Sequence, residues 1–160
     1  MSNREATLRV LLDTSFILPS LGIDVGEKVS KGLKLLAAKA PEIYYSPFSI
    51  LESLWVLSKT IEDAPSQLES FRIGLRSVME SGRYRRVNED SKIMNEAFRL
   101  YKLGHKDMID NILYASSIQL DLKLLTLDND LKSFIQTKKL RDTLLSPDQL
   151  VSWSAVLSHH

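Results

Sequence analysis

Short apolar segments of strand length alternate with helical segments along most of the chain, and this alternation restricts the fold more than any other feature. The first segment, LRVLLD at residues 8–13, is a continuous apolar run of the kind found in strands buried on both faces of a sheet. Further strands are predicted at residues 42–46, 84–88, 123–128 and 143–146. We therefore expect an α/β fold, a three-layer α/β/α sandwich around a mainly parallel central sheet.

Helices are predicted between these strands, at residues 27–40, 47–62, 65–81, 89–104, 106–121, 131–140 and 146–157. Several of their ends carry recognisable signals. Ser46 and Pro47 form an N-cap followed by a proline at the first helical position, and Gly104 closes the helix that precedes it. The first strand is expected to be central, with the strand at 123–128 as its parallel neighbour.

Composition restricts the class of protein. A chain of 160 residues with 44% hydrophobic content is expected to form a single domain over residues 1–160. Its 21 Lys and Arg against 20 Asp and Glu exclude a strongly basic protein, and the lack of cysteine excludes thiol catalysis, cysteine-based zinc sites and disulfides. With no signal peptide and no membrane-spanning stretch, we expect a cytoplasmic protein. His159 and His160 are interpreted as a tag remnant and not as metal ligands.

Four carboxylates stand alone inside apolar runs, and they are Asp13, Glu52, Asp110 and Asp128. An unpaired carboxylate in low dielectric costs several kcal/mol or takes up a proton. Each has an ordinary alternative. Asp13 and Asp128 suit the caps of following helices, Glu52 fits a solvent-facing position, and Asp110 fits an ion pair with Lys106 four residues earlier.

One arrangement accounts for all four acids. The carboxyl ends of neighbouring parallel strands bring Asp13 and Asp128 together, and Glu52 and Asp110 reach the same crevice from helices. Clustered oxygen donors without His or Cys favour Mg²⁺ or Mn²⁺ over zinc. Short polar side chains beside the acids can support metal-bound water or hydrogen bonds, and they are Thr14, Ser15, Thr126 and Asp130.

These segments resemble those of the PIN-domain ribonuclease family. The resemblance covers nearly the whole chain and rests on VLLDTSFI, SILESLWVL, KDMIDNILYASSIQ and LLTLDNDL, in that order. It implies a PIN-like fold in which the four acids Asp13, Glu52, Asp110 and Asp128 together hold Mg²⁺ or Mn²⁺. It also implies Asp130 as a fifth metal ligand and Thr14, Ser15 and Thr126 as supporting hydroxyls. Two departures are Leu131, where an aromatic residue is frequent, and the additional acid Asp107.

The same resemblance has implications for partners. Family members are metal-dependent ribonucleases, many are toxins of toxin–antitoxin pairs, and they commonly dimerise. It therefore implies an RNA substrate, a homodimer and an antitoxin protein. The apolar surfaces of the helical segments ILESLWVL and FRIGLRSVM also favour a homodimer.

An acidic crevice needs cations near it to bind RNA. The densest basic patch contains Arg83, Arg85 and Arg86 with Tyr84 between them. This patch is a candidate for RNA binding, and the alternative is an ordinary solvent-exposed charged surface. His105 is expected to be a solvated loop residue.

Two other functions compete with the nuclease. One is a non-catalytic PIN-like binding module that acts within an RNA-processing complex. The other is a phosphatase or phospho-acceptor domain, which the sequence disfavours because such phosphatases need a second acid two residues after the first, where this chain has Ser15.

Overall fold

A parallel sheet forms the centre of the molecule. The structure, a computed structural model, describes residues 7–60 and 64–151. In these two ranges five strands pair in the order β3-β2-β1-β4-β5, and every pairing is parallel. The strands are β1 (Arg9–Leu12), β2 (Glu42–Tyr45), β3 (Arg85–Arg86), β4 (Lys123–Leu125) and β5 (Leu144–Leu145). The predicted fold class, the central first strand and its neighbour are confirmed.

Helices cover both faces of this sheet. They are α1 (Thr14–Ile17), α2 (Glu27–Ala37), α3 (Pro47–Thr60), α4 (Pro65–Glu80), α5 (Ser91–Leu103), α6 (Met108–Gln119) and α7 (Asn129–Thr137), with a 3₁₀ turn at Leu18–Leu21. Residues 147–151 are helical as well. The rest of the helix predicted at 146–157, the end of that at 47–62, and His159 and His160 lie outside the described residues. The single domain over residues 1–160 stays a prediction. None of the described helices is long and apolar enough to cross a membrane.

The alternation of side chains along β1 builds two cores. Val10 and Leu12 pack on one face of the sheet in a cluster that includes Phe16, whereas Leu11 packs on the other face with Leu113 of α6. All of these side chains are buried, and each contributes about 1.5–3 kcal/mol of hydrophobic stabilisation. Burial on both faces explains why the segment is apolar throughout.

Helix α4 packs closely on the 3₁₀ turn through a glycine. A Cβ atom built on Gly74 would lie 2.0 Å from the backbone oxygen of Ser20. This position therefore excludes any side chain.

The pairing of β1 with β4 brings two chain ends together. Leu12 is opposite Leu125 in the register, and the Asp13 N–H donates to the Leu125 carbonyl at 3.1 Å. Because the strands are parallel, the residues that follow them emerge at the same sheet edge. Asp13 and Asp128 therefore stand on adjacent connections.

Candidate metal centre

An open cleft of about 320 Å³ lies at this carboxyl edge. The four acids predicted from separate segments all line it. The complete lining is Asp13, Ser15, Glu52, Asp107, Asp110, Leu127 and Asp128. All of these belong to the described part of the chain, and none is basic. The cleft thus collects five carboxylates without a cationic side chain among its lining residues.

Asp13 is fixed through both of its oxygens. Its Oδ1 accepts a hydrogen bond from the Thr14 backbone N–H at 2.6 Å and so caps α1, and its Oδ2 accepts one from Thr126 Oγ1 at 2.7 Å. Burial raises the pKa of Asp13 to about 6, although these two hydrogen bonds oppose the shift, and the charges of Glu52 and Asp128 raise it further. The predicted cap and the predicted site residue are the same carboxylate.

Asp128 also combines a cap with a place in the cleft. Its Oδ1 accepts from the backbone N–H groups of Asp130 and Leu131 at 2.9 and 3.1 Å, and its own N–H donates to Thr126 Oγ1 at 3.0 Å. Burial raises the pKa of Asp128, but a hydrogen bond with Asp110 and the two backbone N–H groups outweigh it and hold the pKa below its ordinary value. Thr126 therefore links Asp13 to Asp128.

Asp110 is the most perturbed acid of the cleft. It lies in the first turn of α6, whose N-cap Asp107 accepts from the Asp110 backbone N–H at 3.0 Å. Burial, then a hydrogen bond with Asp128, then the charges of Asp13, Asp107 and Asp128 raise the pKa of Asp110 to about 10. Lys106 does not pair with it, because Lys106 Nζ bonds to the Tyr101 carbonyl at 3.2 Å.

Glu52 reaches the cleft from the middle of α3. That helix packs against α1, which Asp13 caps, and against α6, which contains Asp110, so its inner face is turned toward the cleft. Glu52 is half-buried, whereas Leu51 and Leu54 beside it are exposed. Glu52 therefore faces the cleft and not the bulk solvent, contrary to the alternative of a solvent-facing position.

The supporting residues divide into two groups. Ser15 lines the cleft and Thr126 bonds to Asp13. Thr14 Oγ1 is buried and finds no hydrogen-bond partner among the described residues. Asp130 is exposed in the first turn of α7 and does not line the cleft, so its role as a fifth ligand stays a prediction.

The arginines predicted to bind RNA lie elsewhere. Arg85 and Arg86 form β3 at the edge of the sheet, two strands from β1, and neither they nor Arg83 line the cleft. Arg85 pairs with Glu42 at 3.6 Å, and the Arg83 guanidinium lies 5.5 Å from the centre of the Tyr84 ring.

The expectation of a solvated His105 is wrong. Its ring is buried, its Nδ1 lies 2.8 Å from Asn111 Oδ1, and Asn111 Nδ2 donates to the His105 carbonyl at 2.7 Å. This reciprocal pair ties the loop before α6 to the helix that carries Asp110. The only local sign of this pair is that Asn111 is a polar residue inside an apolar helix.

The donor set of the cleft fits a hard divalent cation. It offers carboxylate oxygens, which Mg²⁺ and Mn²⁺ prefer, and it has no imidazole or thiolate among its lining residues in the described ranges. The raised pKa values of Asp13 and Asp110 record burial and mutual repulsion that a cation would offset. As placed, however, no three acidic or histidine side chains in the described residues stand in a geometry that holds a metal ion.

Comparison with known proteins supplies the family. Residues 10–136 match the model described as PIN domain. The chain belongs to the PIN-domain family. PIN domains are generally nucleases that use divalent metal ions. No curated protein matches this PIN domain in sequence.

Solved structures share the fold at low sequence identity. A toxin–antitoxin complex from Klebsiella pneumoniae is 16% identical, with 86% of this chain and 97% of that chain covered and a TM-score of 0.59. VapC20 from Mycobacterium tuberculosis, described as a sarcin–ricin loop cleaving toxin, is 16% identical, with coverages of 78% and 93% and a TM-score of 0.59. FitAcB from Neisseria gonorrhoeae is 15% identical, with coverages of 86% and 97% and a TM-score of 0.54.

Proposed function

We propose that this PIN domain is a metal-dependent endoribonuclease that hydrolyses phosphodiester bonds of RNA with Mg²⁺ or Mn²⁺. The observation that supports this most strongly is the cleft itself, where carboxylates from four separate segments meet without a cationic side chain among the lining residues of the described chain. Such a cleft repels an anionic phosphodiester unless a cation lies between them. When bound, a divalent metal supplies that positive charge and lowers the pKa of water to give a nucleophile at neutral pH.

The chain's own residues would hold the cation and fix its surroundings. Asp13, Glu52, Asp110 and Asp128 are the proposed ligands. Asp13 is held from two sides by hydrogen bonds, so its carboxylate cannot rotate freely. Because no three acids stand in a metal-holding geometry as placed, binding requires rotations of the acidic side chains. Ser15 and Thr126 would orient the ligands by hydrogen bonds, and Asp130 stays a proposed fifth ligand.

Solved structures with the same fold support a proposal about partners. The Klebsiella structure is a toxin–antitoxin complex and the VapC20 structure is that of a cleaving toxin. We therefore propose that this chain is the toxin of a pair and that an antitoxin protein binds it. We also propose that it acts in the cytoplasm as a homodimer, which would cover exposed apolar side chains of α3 such as Trp55. Induced expression should arrest bacterial growth, and co-expression of the adjacent gene should restore it. Unimpaired growth at high expression would contradict the toxin role while leaving the nuclease proposal standing.

A cleavage assay tests the nuclease directly. End-labelled single-stranded RNA is incubated with wild type and with Asp110→Asn in Mg²⁺, in Mn²⁺ and in EDTA. We expect internal cleavage by wild type in either metal, none in EDTA, and a loss of at least about 100-fold in the variant, the scale of removing one oriented charged group from an active site. Cleavage that persists in EDTA, or an Asp110→Asn variant with wild-type rates, would refute the proposal.

A non-catalytic binding module is the second candidate. The observation that favours it is that no three acidic or histidine side chains among the described residues are placed to hold a metal ion. It predicts RNA or protein binding without cleavage, and a melting temperature that Mn²⁺ leaves unchanged. A wild-type protein that binds RNA but cleaves none in either metal would select this alternative.

A further inference from the structure

A second groove lies beside the acidic cleft, on the side of β4 and β5. It has a volume of about 400 Å³ and runs between α2 and the chain that follows β5. We call it the lysine groove and define it by Lys28, Lys31, Leu35, Leu127, Pro147 and Asp148. Leu127, which is 38% exposed, lines both the acidic cleft and the lysine groove. The two concave surfaces are therefore continuous across one side chain.

The groove presents two cations from one helix face. Lys28, Lys31 and Leu35 follow each other at helical spacing in α2, so they share the face that lines the groove. Lys31 lies 3.9 Å from Glu27, a largely exposed contact that binds weakly. Lys28 forms no ion pair with any described residue. Asp148 is the acid of the groove, so cations predominate there.

A smaller pocket shares residues with both the lysine groove and the acidic cleft. It has a volume of about 270 Å³ and is lined by Leu127 and by both kinds of charge, the lysines Lys28 and Lys132 and the acids Asp128, Asp142 and Asp148. Lys28 thus belongs to both hollows, and Asp128 belongs to this pocket and to the acidic cleft. Among the described residues that line these two hollows, the cations exceed the acids only in the lysine groove, where Lys28 and Lys31 face Asp148 alone, so the groove and not this pocket is the surface suited to a polyanion.

We propose that the lysine groove binds the segment of single-stranded RNA next to the phosphate in the acidic cleft, an inference that rests on the proposed function. Lys28 and Lys31 bind backbone phosphates, and Leu35, Leu127 and Pro147 form an apolar wall against which a base or ribose packs. Apolar and cationic surface side by side suits an unpaired strand, which offers both a charged backbone and exposed bases.

The charge distribution favours this groove over the arginine patch. Arg85 is already paired with Glu42 at 3.6 Å, and the patch is on β3, at the sheet edge away from β4 and β5. The lysine groove shares a wall with the acidic cleft, whereas none of the three arginines lines any part of it. An RNA strand bound in the lysine groove can therefore place its next phosphate beside the carboxylates of the adjacent acidic cleft.

Two charge-matched double variants test the proposal in the full chain. Lys28→Gln with Lys31→Gln removes both groove cations. Lys34→Gln with Lys39→Gln removes the same charge from α2 and the turn after it, outside the groove. Binding of a fluorescein-labelled ten-nucleotide poly-uridylate is measured by anisotropy in Ca²⁺ over a range of KCl concentrations, with a poly-glutamate peptide of equal length as a second probe.

We expect the groove variant to bind the RNA about tenfold more weakly than wild type at 0.15 M salt, and its slope of log K against log [salt] to fall by about 1.4, since each phosphate contact on a single strand contributes about 0.7. The control variant should keep the wild-type slope. Equal losses in both variants, or an effect confined to poly-glutamate, would overturn the groove assignment while wild-type RNA cleavage still supports the nuclease. A wild type that neither binds nor cleaves RNA would overturn both.

Discussion

Replacing Asp110 by Asn should stabilise the metal-free protein. Burial and the neighbouring acids raise the pKa of Asp110 from 3.8 to about 10, so this carboxyl is protonated in the folded protein at pH 7 and ionised in the unfolded chain. Folding must therefore take up a proton, which costs about 1.4 kcal/mol for each pH unit above the unfolded pKa. Asparagine has the shape of the protonated acid, can donate to Asp128, and avoids that cost.

The size of the effect depends on pH in a defined direction. For an acid whose folded pKa is raised, stability is lost as pH rises from the unfolded pKa toward the folded one. At pH 7 the interval above 3.8 gives a gain for the variant of about 4 kcal/mol as an upper limit, because the hydrogen bond with Asp110 that lowers the pKa of Asp128 offsets part of this cost in wild type. Any folded pKa of Asp110 above the working pH gives the same gain for the variant.

Urea unfolding in EDTA at pH 5, 6, 7 and 8 measures this gain. The advantage of Asp110→Asn over wild type should grow with pH. The exposed position Asp24→Asn, outside the cleft, is measured in parallel as the matched substitution. Mn²⁺ should reduce the advantage of Asp110→Asn, because a ligand at 100 times its dissociation constant stabilises the folded state by about 2.7 kcal/mol and the variant binds it less well. A variant that is less stable in EDTA at every pH, or equal Mn²⁺ effects in both proteins, would refute this reasoning.

Three further changes test other parts of the structure. Thr126→Val removes the hydrogen bonds to Asp13 and Asp128 and should lower the free energy of unfolding by about 1–3 kcal/mol in urea titrations, so an unchanged midpoint would contradict the linking role of this hydroxyl. Gly74→Ala places a Cβ 2.0 Å from the Ser20 carbonyl oxygen, and thermal melts should show a loss of about 1–3 kcal/mol, against no loss if α4 can shift freely. Trp55 is 55% exposed on α3, so light scattering should find a wild-type dimer and a Trp55→Glu monomer, and a monomeric wild type would end the dimer proposal.

The parallel sheet and the acids of the cleft could be predicted from the sequence because each leaves a local pattern of residues. A strand buried on both faces must be apolar throughout, as in residues 8–13, and a charge inside such a run is conspicuous. Parallel pairing then brings strand ends to one edge, so the neighbourhood of Asp13 and Asp128 follows from the predicted order of strands. The caps of α1 and α7 were also foreseeable, since Asp is a preferred N-cap.

The remaining features depend on contacts between distant segments, which leave weak patterns. His105 follows a glycine in a loop, and only its pairing with Asn111 explains its burial. The clustering of arginines near Tyr84 gave a dense local signal, yet β3 lies at the sheet edge away from the cleft. Lys28 and Lys31 look like any exposed helical lysines, because their importance comes from Leu127, about a hundred positions later, which forms the wall they share with the cleft.

Three acids of the cleft, Asp13, Asp107 and Asp128, are also helix N-caps. Asparagine caps a helix about as well as aspartate. A single G-to-A transition converts either aspartate codon into an asparagine codon, so one nucleotide change can remove a cleft charge while the helix start that depended on it is kept. Descendants of such a gene can lose the chemistry and retain the folded surface, which gives selection an intact scaffold for a new binding role. Non-cleaving homologues should therefore carry Asn at these three positions more often than Ala or Gly.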